Sequence, residues 1–207
     1  MTGILRRMGE HALLIETGAL AESHRLDAEL RRLGIKGVEE IVPGPESVLV
    51  VVSGGDLEVI WEQVELMVGE KGTPGQATGW EPAEVVVEVE YDGADLTAVA
   101  ELTGLGVDEV IARHSGSSFV VGWLGFAPGF AYLVGLDPVL AVPRLEVPRT
   151  SVPAGSVAIA GGYSAIYPAA SPGGWRLLGR TTTRVWDVEA DPPSLLQPGT
   201  RVRMVPA

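Results

Sequence analysis

Apolar residues follow two different rhythms along this chain. Over the first third, short strand-like runs trade places with longer helical stripes. Ala12 to Ile15 (ALLI) reads as a buried strand, and the polar stretch after it carries Leu26, Leu30 and Leu33 at helical spacing. Gly34 suits the end of that helix, because a residue without a Cβ reaches the left-handed conformation freely. Strand-like segments at Val38 to Val42 and Ser47 to Val52 flank Pro43-Gly44-Pro45, whose fixed and permissive backbones suit a turn. Ser53 and Asp56 form a capping pair ahead of Leu57, Ile60, Trp61, Val64 and Val68, which place one apolar stripe on a helix. From Gly69 to Pro82 the periodicity stops amid Gly, Thr, Pro and Lys, which predicts a domain boundary. The expectation is an α/β domain over residues 1–78 and a second domain over 79–207.

The second rhythm is shorter. A strand at Val85 to Tyr91 and a turn at Asp92-Gly93 precede two short helical patterns, Asp95 to Thr103 and Val107 to His114. Beyond Ser117, β-branched and aromatic runs at Phe119 to Leu124, Ser156 to Ala160, Ser164 to Tyr167, Thr181 to Trp186 and Arg201 to Val205 are separated by Gly/Pro-rich turns. That spacing predicts a compact barrel or sandwich, and with the helix-containing first part it makes the chain α+β. No internal repeat is visible.

Composition narrows the chemistry. Of 207 residues 46% are hydrophobic and 20% charged, the balance of a globular protein, and the formal charge of -12 argues against nucleic acid as a partner. The chain has no cysteine, so disulfides, a thiolate nucleophile and Cys-ligated zinc are excluded, and a cytoplasmic setting is expected. Neither a secretory h-region after Arg6-Arg7 nor a membrane-length apolar run is present. Histidines stand only at 11, 24 and 114, too scattered to predict a metal site. There is no GxxxxGK[ST] phosphate loop, HExxH pair, GxSxG elbow or dinucleotide fingerprint, so a self-sufficient hydrolase is hard to build.

Four segments carry candidate chemistry. GFAPGFAYL, Gly125 to Leu133, reads as a rigid loop in which glycines let backbone approach a ligand and Phe126, Phe130 and Tyr132 form apolar walls, or in which the aromatics plug a barrel end. Pro143-Arg144 and Pro148-Arg149 place two arginines five residues apart, suited to a carboxylate or phosphate, or to surface pairs with the many acidic residues. The doubled glycines Gly161-Gly162 and Gly173-Gly174 make either anion-binding nests or tight hairpins. His114 follows Val107 and Val110 on an apolar helix face, where a histidine either satisfies the core and the last helix carbonyls or serves as general acid or base.

The series YDGADL, VDEVIARH, GFAPGFAYL, PRLEVPR, VPAGSVAIAGG, IYPAASPGGWRLLGRT and LLQPGTRVR, from Tyr91 to Arg203, resembles the KipI family, the B-type subunits of 5-oxoprolinase, also called allophanate hydrolase subunit 1. The resemblance implies an N-terminal α/β domain followed by a cyclophilin-like β-barrel. It implies a protein acting with a KipA-type partner (the C-type subunit of 5-oxoprolinase, or allophanate hydrolase subunit 2) and a lamB/YcsF-type subunit. Together they would open 5-oxoproline to glutamate, with ATP bound by the assembled complex. It also implies that His114, Arg144 and Arg149 act as catalytic residues. Phe126, Pro128, Gly129, Phe130, Tyr132, Ser156, Gly173, Gly174 and Trp175 would then line the substrate groove. The sequence departs from the family pattern at Gly162-Tyr163-Ser164-Ala165, where a glutamine-threonine-glycine type sequence is usual, and at Gly199-Thr200, where glycine-aspartate is usual. The same resemblance admits two other roles, inhibition of a sensor histidine kinase and the carboxyltransferase-like half of a urea or allophanate pathway enzyme. A peptidyl-prolyl isomerase would rest on the barrel alone.

Overall fold

The computed structural model describes residues 4–53, 57–69 and 84–207. The chain divides into two compact units, Met1–Glu81 and Pro82–Ala207. Asp56 of the expected capping pair and all of the expected boundary segment after Gly69 lie outside the described residues.

The first unit is a four-stranded antiparallel sheet with two helices. Its strands are β1 (Ile4–Arg7), β2 (Ala12–Glu16), β3 (Val38–Pro43) and β4 (Ser47–Val52), in the order β1-β2-β4-β3. The helices are α1 (Leu20–Leu33) and α2 (Leu57–Gly69). Alternation in β4 turns Val48, Val50 and Val52 to one face, where they meet Leu13 and Ile15 of β2, Leu26 and Leu30 of α1, and Ile60 and Val64 of α2. Gly34 ends α1 at φ 56°, its N–H donating to the Leu30 carbonyl. Leu33, expected in the buried stripe, is exposed, because one more helical step carries it past the sheet.

The second unit is a nearly closed barrel. Its strands are β5 (Glu84–Val89), β6 (Phe119–Leu124), β7 (Ala131–Val134), β9 (Ser156–Ala160), β10 (Tyr163–Ile166), β12 (Arg176–Arg180) and β13 (Arg201–Pro206), ordered β12-β9-β10-β7-β6-β13-β5. A separate two-stranded ribbon joins β8 (Arg149–Val152) to β11 (Ser171–Gly173), and helices α3 (Leu96–Thr103) and α4 (Val107–Ser115) follow β5. The two edge strands meet at Glu90 and Arg180, whose N–H groups donate to each other's carbonyls at 2.8 and 2.9 Å. That approach explains Gly179: a Cβ there would lie 3.0 Å from the Tyr91 Cα. Val87, Val121, Leu133, Ile159, Leu178 and Met204 fill the interior, and α3 and α4 add Leu96, Val99 and Val110 to the same core.

One expected strand is displaced. Thr181–Trp186, read as a strand from its β-branched residues, is irregular, and the ladder is made instead by Arg176–Arg180. Barrel closure decides this. Arg180 is the last residue facing a neighbouring strand, and the Thr181 N–H is already taken by the Gly155 carbonyl at 2.9 Å. The ribbon has no strand-like signal in the sequence, because Ser171-Pro172-Gly173 has the composition of a turn.

Candidate functional site

Strand β9 is buried along both faces. Val157 and Ile159 point into the barrel, whereas Ala158 and Ala160 point outward, joined there by Ala165 of β10. These small side chains leave room above them. Phe130, Tyr167 and Trp175 pack into that room, with Val152 and Leu177, as a second core on the outside of the barrel wall. Phe130 meets Tyr132, Tyr167 and Trp175 edge-on at 5.3, 5.3 and 5.5 Å, and Tyr132 stacks on Trp123 at 4.9 Å with Tyr163 set edge-on against both. Trp123, Tyr132 and Tyr163 are only half-buried. The cluster therefore has a sealed inner part and a solvent-facing edge.

The segment expected to be a rigid loop is one, as far as Phe130. The Ala127 N–H donates to the Gly125 carbonyl at 2.8 Å around Phe126, whose φ is +71°, an i to i+2 turn. The next turn runs from Ala127 to Phe130, closed by a 3.0 Å bond, with Pro128 and Gly129 at its centre and Gly129 at φ +75°. Proline followed by a positive-φ glycine is the requirement of a type II turn. Gly129 is also obligatory for packing, since a Cβ would sit 2.7 Å from the Trp186 Cβ. The two turns bury Phe130 and leave Phe126 exposed, 5.2 Å from Phe130.

The two arginines do different things. Arg149 Nη2 donates to Asp95 Oδ1 at 2.8 Å, and Asp95 Oδ2 accepts the Leu177 N–H at 2.7 Å. A second donor, Arg149 Nη1, reaches the Trp175 carbonyl at 3.5 Å. Arg144 is exposed and lies over the Trp175 ring, 5.7 Å from its centroid. Burial raises the Tyr167 phenol above its ordinary pKa, partly offset by the Trp175 N–H bonded to it and by the nearby charges of Arg144 and Arg149. The glycine pairs make structure. Gly161-Gly162 is the two-residue connection between β9 and β10, and Gly174 offers its carbonyl to the Leu145 N–H at 2.7 Å. Neither Gly173 nor Gly174 takes a positive φ, so no nest forms there. A Cβ on Gly173 would strike the Tyr167 ring.

Besides Phe130 and Trp175, two more expected site residues are enclosed. Ser156 is buried at the start of β9, its carbonyl accepting the Tyr167 N–H at 2.9 Å. His114 is fully buried, with Nδ1 2.8 Å from the Tyr91 hydroxyl and Nε2 2.9 Å from Ser164 Oγ. Ser164 donates its proton to the Ala158 carbonyl at 3.2 Å, so its oxygen accepts from Nε2–H, and Nδ1 accepts from Tyr91. Burial lowers the His114 pKa to about 3 and raises that of Tyr91. A neutral ring with both nitrogens engaged inside the core cannot meet a ligand, which corrects its expected place in the groove. Its register on the apolar face of α4 already allowed this outcome. Asp95, Trp123, Tyr163 and Tyr167 join the cluster without having been among the residues expected to line the groove. Asp95 could be found only as one of the two carboxylates of the YDGADL segment, and Tyr163 only as part of the segment that departs from the family pattern.

Fold and cluster define an α+β protein whose barrel carries, on its outer wall, an aromatic face edged by arginine. The chain belongs to the carboxyltransferase domain family, subdomains C and D, whose model matches residues 4–196, and within it to the KipI type. It is 36% identical over 217 residues to the B-type subunit of 5-oxoprolinase from Escherichia coli O157:H7, covering 96% of this chain and 94% of that protein. To the B-type subunit of 5-oxoprolinase from Bacillus subtilis (strain 168) it is 45% identical over 113 residues, 55% of this chain and 47% of that one. Among solved structures it superposes on TTHA0988 with a TM-score of 0.82 at 33% identity, over 99% of this chain and 40% of that longer chain. The Kluyveromyces lactis urea amidolyase shares the fold, with a TM-score of 0.77 at 22% identity, over 99% of this chain and 15% of that one.

Proposed function

We propose that this chain is the B-type subunit of a heteromeric, ATP-dependent 5-oxoprolinase, converting 5-oxo-L-proline, ATP and water to L-glutamate, ADP and phosphate. Its partners are a KipA-type subunit and a lamB/YcsF-type subunit. The observation that carries this reading is the character of the outer face. It offers an aromatic surface and an arginine over Trp175, while the one histidine of the second unit is locked in the core. Such a face binds and orients a small anionic amide, and it relies on another subunit for the base and the phosphoryl chemistry. Similarity along nearly the whole chain to a protein named as the B-type subunit of 5-oxoprolinase supports the same reading.

The helix N-termini of this chain do not favour a triphosphate. A triphosphate is held by exposed N–H groups at a helix N-terminus or by a cluster of cations. Here the first turns of α1, α2 and α4 carry Glu22, Glu58 and Asp108 with Glu109, and Asp95 stands at the start of α3. Each would repel phosphate. These acidic first turns favour a nucleotide site elsewhere in the complex. Among the described residues no three His, Asp or Glu side chains gather as metal ligands, and no helix is long and apolar enough to cross a membrane.

The test is co-expression of this chain with its KipA-type and lamB/YcsF-type partners, then measurement of ADP release with and without 5-oxoproline. Release that depends on 5-oxoproline and on this chain is the expected result. A stable complex that turns over no ATP with 5-oxoproline overturns the substrate.

A further inference from the structure

Most arginines of this acidic chain are neutralised. Arg6, Arg7, Arg25, Arg31, Arg32, Arg113, Arg149, Arg180, Arg184 and Arg203 each lie within salt-bridge distance of a carboxylate. Among the described residues only Arg144, Arg176 and Arg201 have no such partner. Two of these three meet at one place. Arg176 Nε donates to the carbonyl of Pro143, the residue before Arg144, at 3.3 Å. In a chain of net charge -12, that is an unusual place to leave two cations together.

The backbone around them is pinned. On one side of Arg144, Pro143 accepts from Arg176, and on the other the Leu145 N–H donates to the Gly174 carbonyl at 2.7 Å. The segment that carries Trp175 therefore holds Arg144 from both directions. The Arg144 guanidinium carbon lies over the Trp175 ring, 5.7 Å from its centroid, and its N–H donors make no hydrogen bond or ion pair among the described residues. Arg176 spends Nε on Pro143 and keeps both terminal nitrogens free of any other bond. Trp175 itself is fixed from behind by Phe130 at 5.5 Å, by Tyr132 at 5.5 Å and by Arg149 through its carbonyl. Glu146, exposed two residues from Arg144, is the nearest acidic residue in sequence.

We propose that Arg144 and Arg176 form a carboxylate-binding site at the edge of the aromatic cluster, for a small molecule that bears its carboxylate on a compact, flat or apolar body. Edge-presented guanidinium donors match the two oxygens of a carboxylate, and holding the cations in place beforehand lowers the entropy cost of binding. Trp175 anchors the Arg144 guanidinium through the ring contact at 5.7 Å. Phe126, 63% exposed and linked to Trp175 through Phe130, offers apolar surface for the body of the ligand. The choice of probe rests on the 5-oxoprolinase reading, whereas the site itself does not.

The test is an NMR titration of the full chain that follows the Trp175 indole N–H. Three ligands are used: 5-oxoproline, its neutral counterpart 2-pyrrolidinone, and cyclopentanecarboxylate, which keeps the acid and lacks the amide. The expected result is a saturable shift with both acids and none with 2-pyrrolidinone. Affinity should fall at least tenfold in Arg144→Ala and in Arg176→Ala and be partly kept in Arg144→Lys. In the assembled complex, Arg144→Ala should raise the KM for 5-oxoproline about tenfold with kcat nearly unchanged. Equal response to 2-pyrrolidinone, or affinities untouched by both alanine variants, overturns the site. Binding of cyclopentanecarboxylate without 5-oxoproline binding or turnover leaves the site standing and removes the 5-oxoprolinase reading. Turnover with an unaltered KM in Arg144→Ala does the reverse.

Discussion

Asp95 Oδ1 accepts a hydrogen bond from Arg149 Nη2 at 2.8 Å across 54 residues of sequence, while its other oxygen accepts the Leu177 N–H at 2.7 Å. One carboxylate thereby ties the turn after β5 to the first residue of the ribbon and to β12. Arg149 extends the tie to the Trp175 carbonyl. Of the two arginines in PRLEVPR, this one is a strut, whereas its neighbour Arg144 is exposed over the Trp175 ring.

Removing the strut should cost stability in proportion to what is left unpaired. Asp95 is nearly buried, so Asp95→Ala strands the Arg149 charge and the Leu177 N–H and should lower unfolding stability by about 2–4 kcal/mol. Arg149 is about a quarter exposed, so water can partly solvate Asp95 in Arg149→Ala, and the loss should be nearer 1–2 kcal/mol. Arg144→Ala should change stability by less than about 1 kcal/mol, the value of an exposed cation over a ring. Urea unfolding of the three variants measures all of this, and an Arg149→Ala protein as stable as the parent would mean the pair holds nothing together.

His114 makes a prediction about pH. Its folded pKa is lowered to about 3, from 6.5 in the unfolded chain, so the folded state refuses a proton that the unfolded state accepts between those values. Its contribution to stability is therefore complete above pH 6.5 and lost progressively as pH falls toward 3, by up to about 1.4 kcal/mol per pH unit. His114→Gln carries no proton in either state. Its stability should be lower than the parent at pH 8, and the gap should narrow steadily from pH 6.5 to pH 4.5. Parallel curves for the two proteins across that range would mean that the ring titrates in the fold as it does in water.

What the sequence revealed depended on whether the signal was local. The N-terminal strands and helices were legible because β4 is an unbroken apolar run, VLVVV, and α1 sets Leu26 and Leu30 four residues apart against one sheet face. The barrel strands β6, β9, β10 and β13 were legible as short β-branched and aromatic runs between Gly/Pro-rich turns. β12 was not, because which of two adjacent segments enters the ladder was settled by closure at Glu90, 90 residues upstream. The site divided likewise. The turns of GFAPGF followed from Pro128-Gly129, and the aromatics were visible by type. The partner of Arg149 was invisible, since any of 27 acidic residues could have filled that role. The burial of His114 was equally hidden, because its second partner, Ser164, arrives from a hairpin 50 residues later.

Barrel closure gives a third prediction. Glu90 and Arg180 exchange backbone bonds only because the chain opposite has no side chain at Gly179. Gly179→Ala would place a methyl 3.0 Å from the Tyr91 Cα, and relief requires separating β5 from β12. The cost should be about 1–3 kcal/mol, the usual penalty of overpacking. Breaking the exposed Arg180 to Glu90 ion pair by Glu90→Gln should cost under about 1 kcal/mol. Thermal unfolding separates the two, and a Gly179→Ala loss no larger than that of Glu90→Gln would show that the seam is loose.

The last prediction concerns Phe126. It has a positive φ of 71° at the centre of a three-residue turn, and it is 63% exposed, so neither hydrophobic burial nor backbone ease explains a phenylalanine there. A non-glycine residue held in that region costs of order 1–3 kcal/mol. Glycine at the same position escapes the strain, though it loses about 0.5–1 kcal/mol relative to alanine through the freedom of the unfolded chain. Phe126→Ala and Phe126→Gly lose the same 5.2 Å ring contact with Phe130, so the difference between them isolates the backbone. Elsewhere alanine is the more stable of the two. Here Phe126→Gly should be the more stable by about 1 kcal/mol, and both variants should bind the carboxylate probe more weakly than the parent. If alanine is the more stable, the turn carries no strain. If glycine is more stable and binding is unchanged, the strain is real but the exposed ring serves neither ligand nor site.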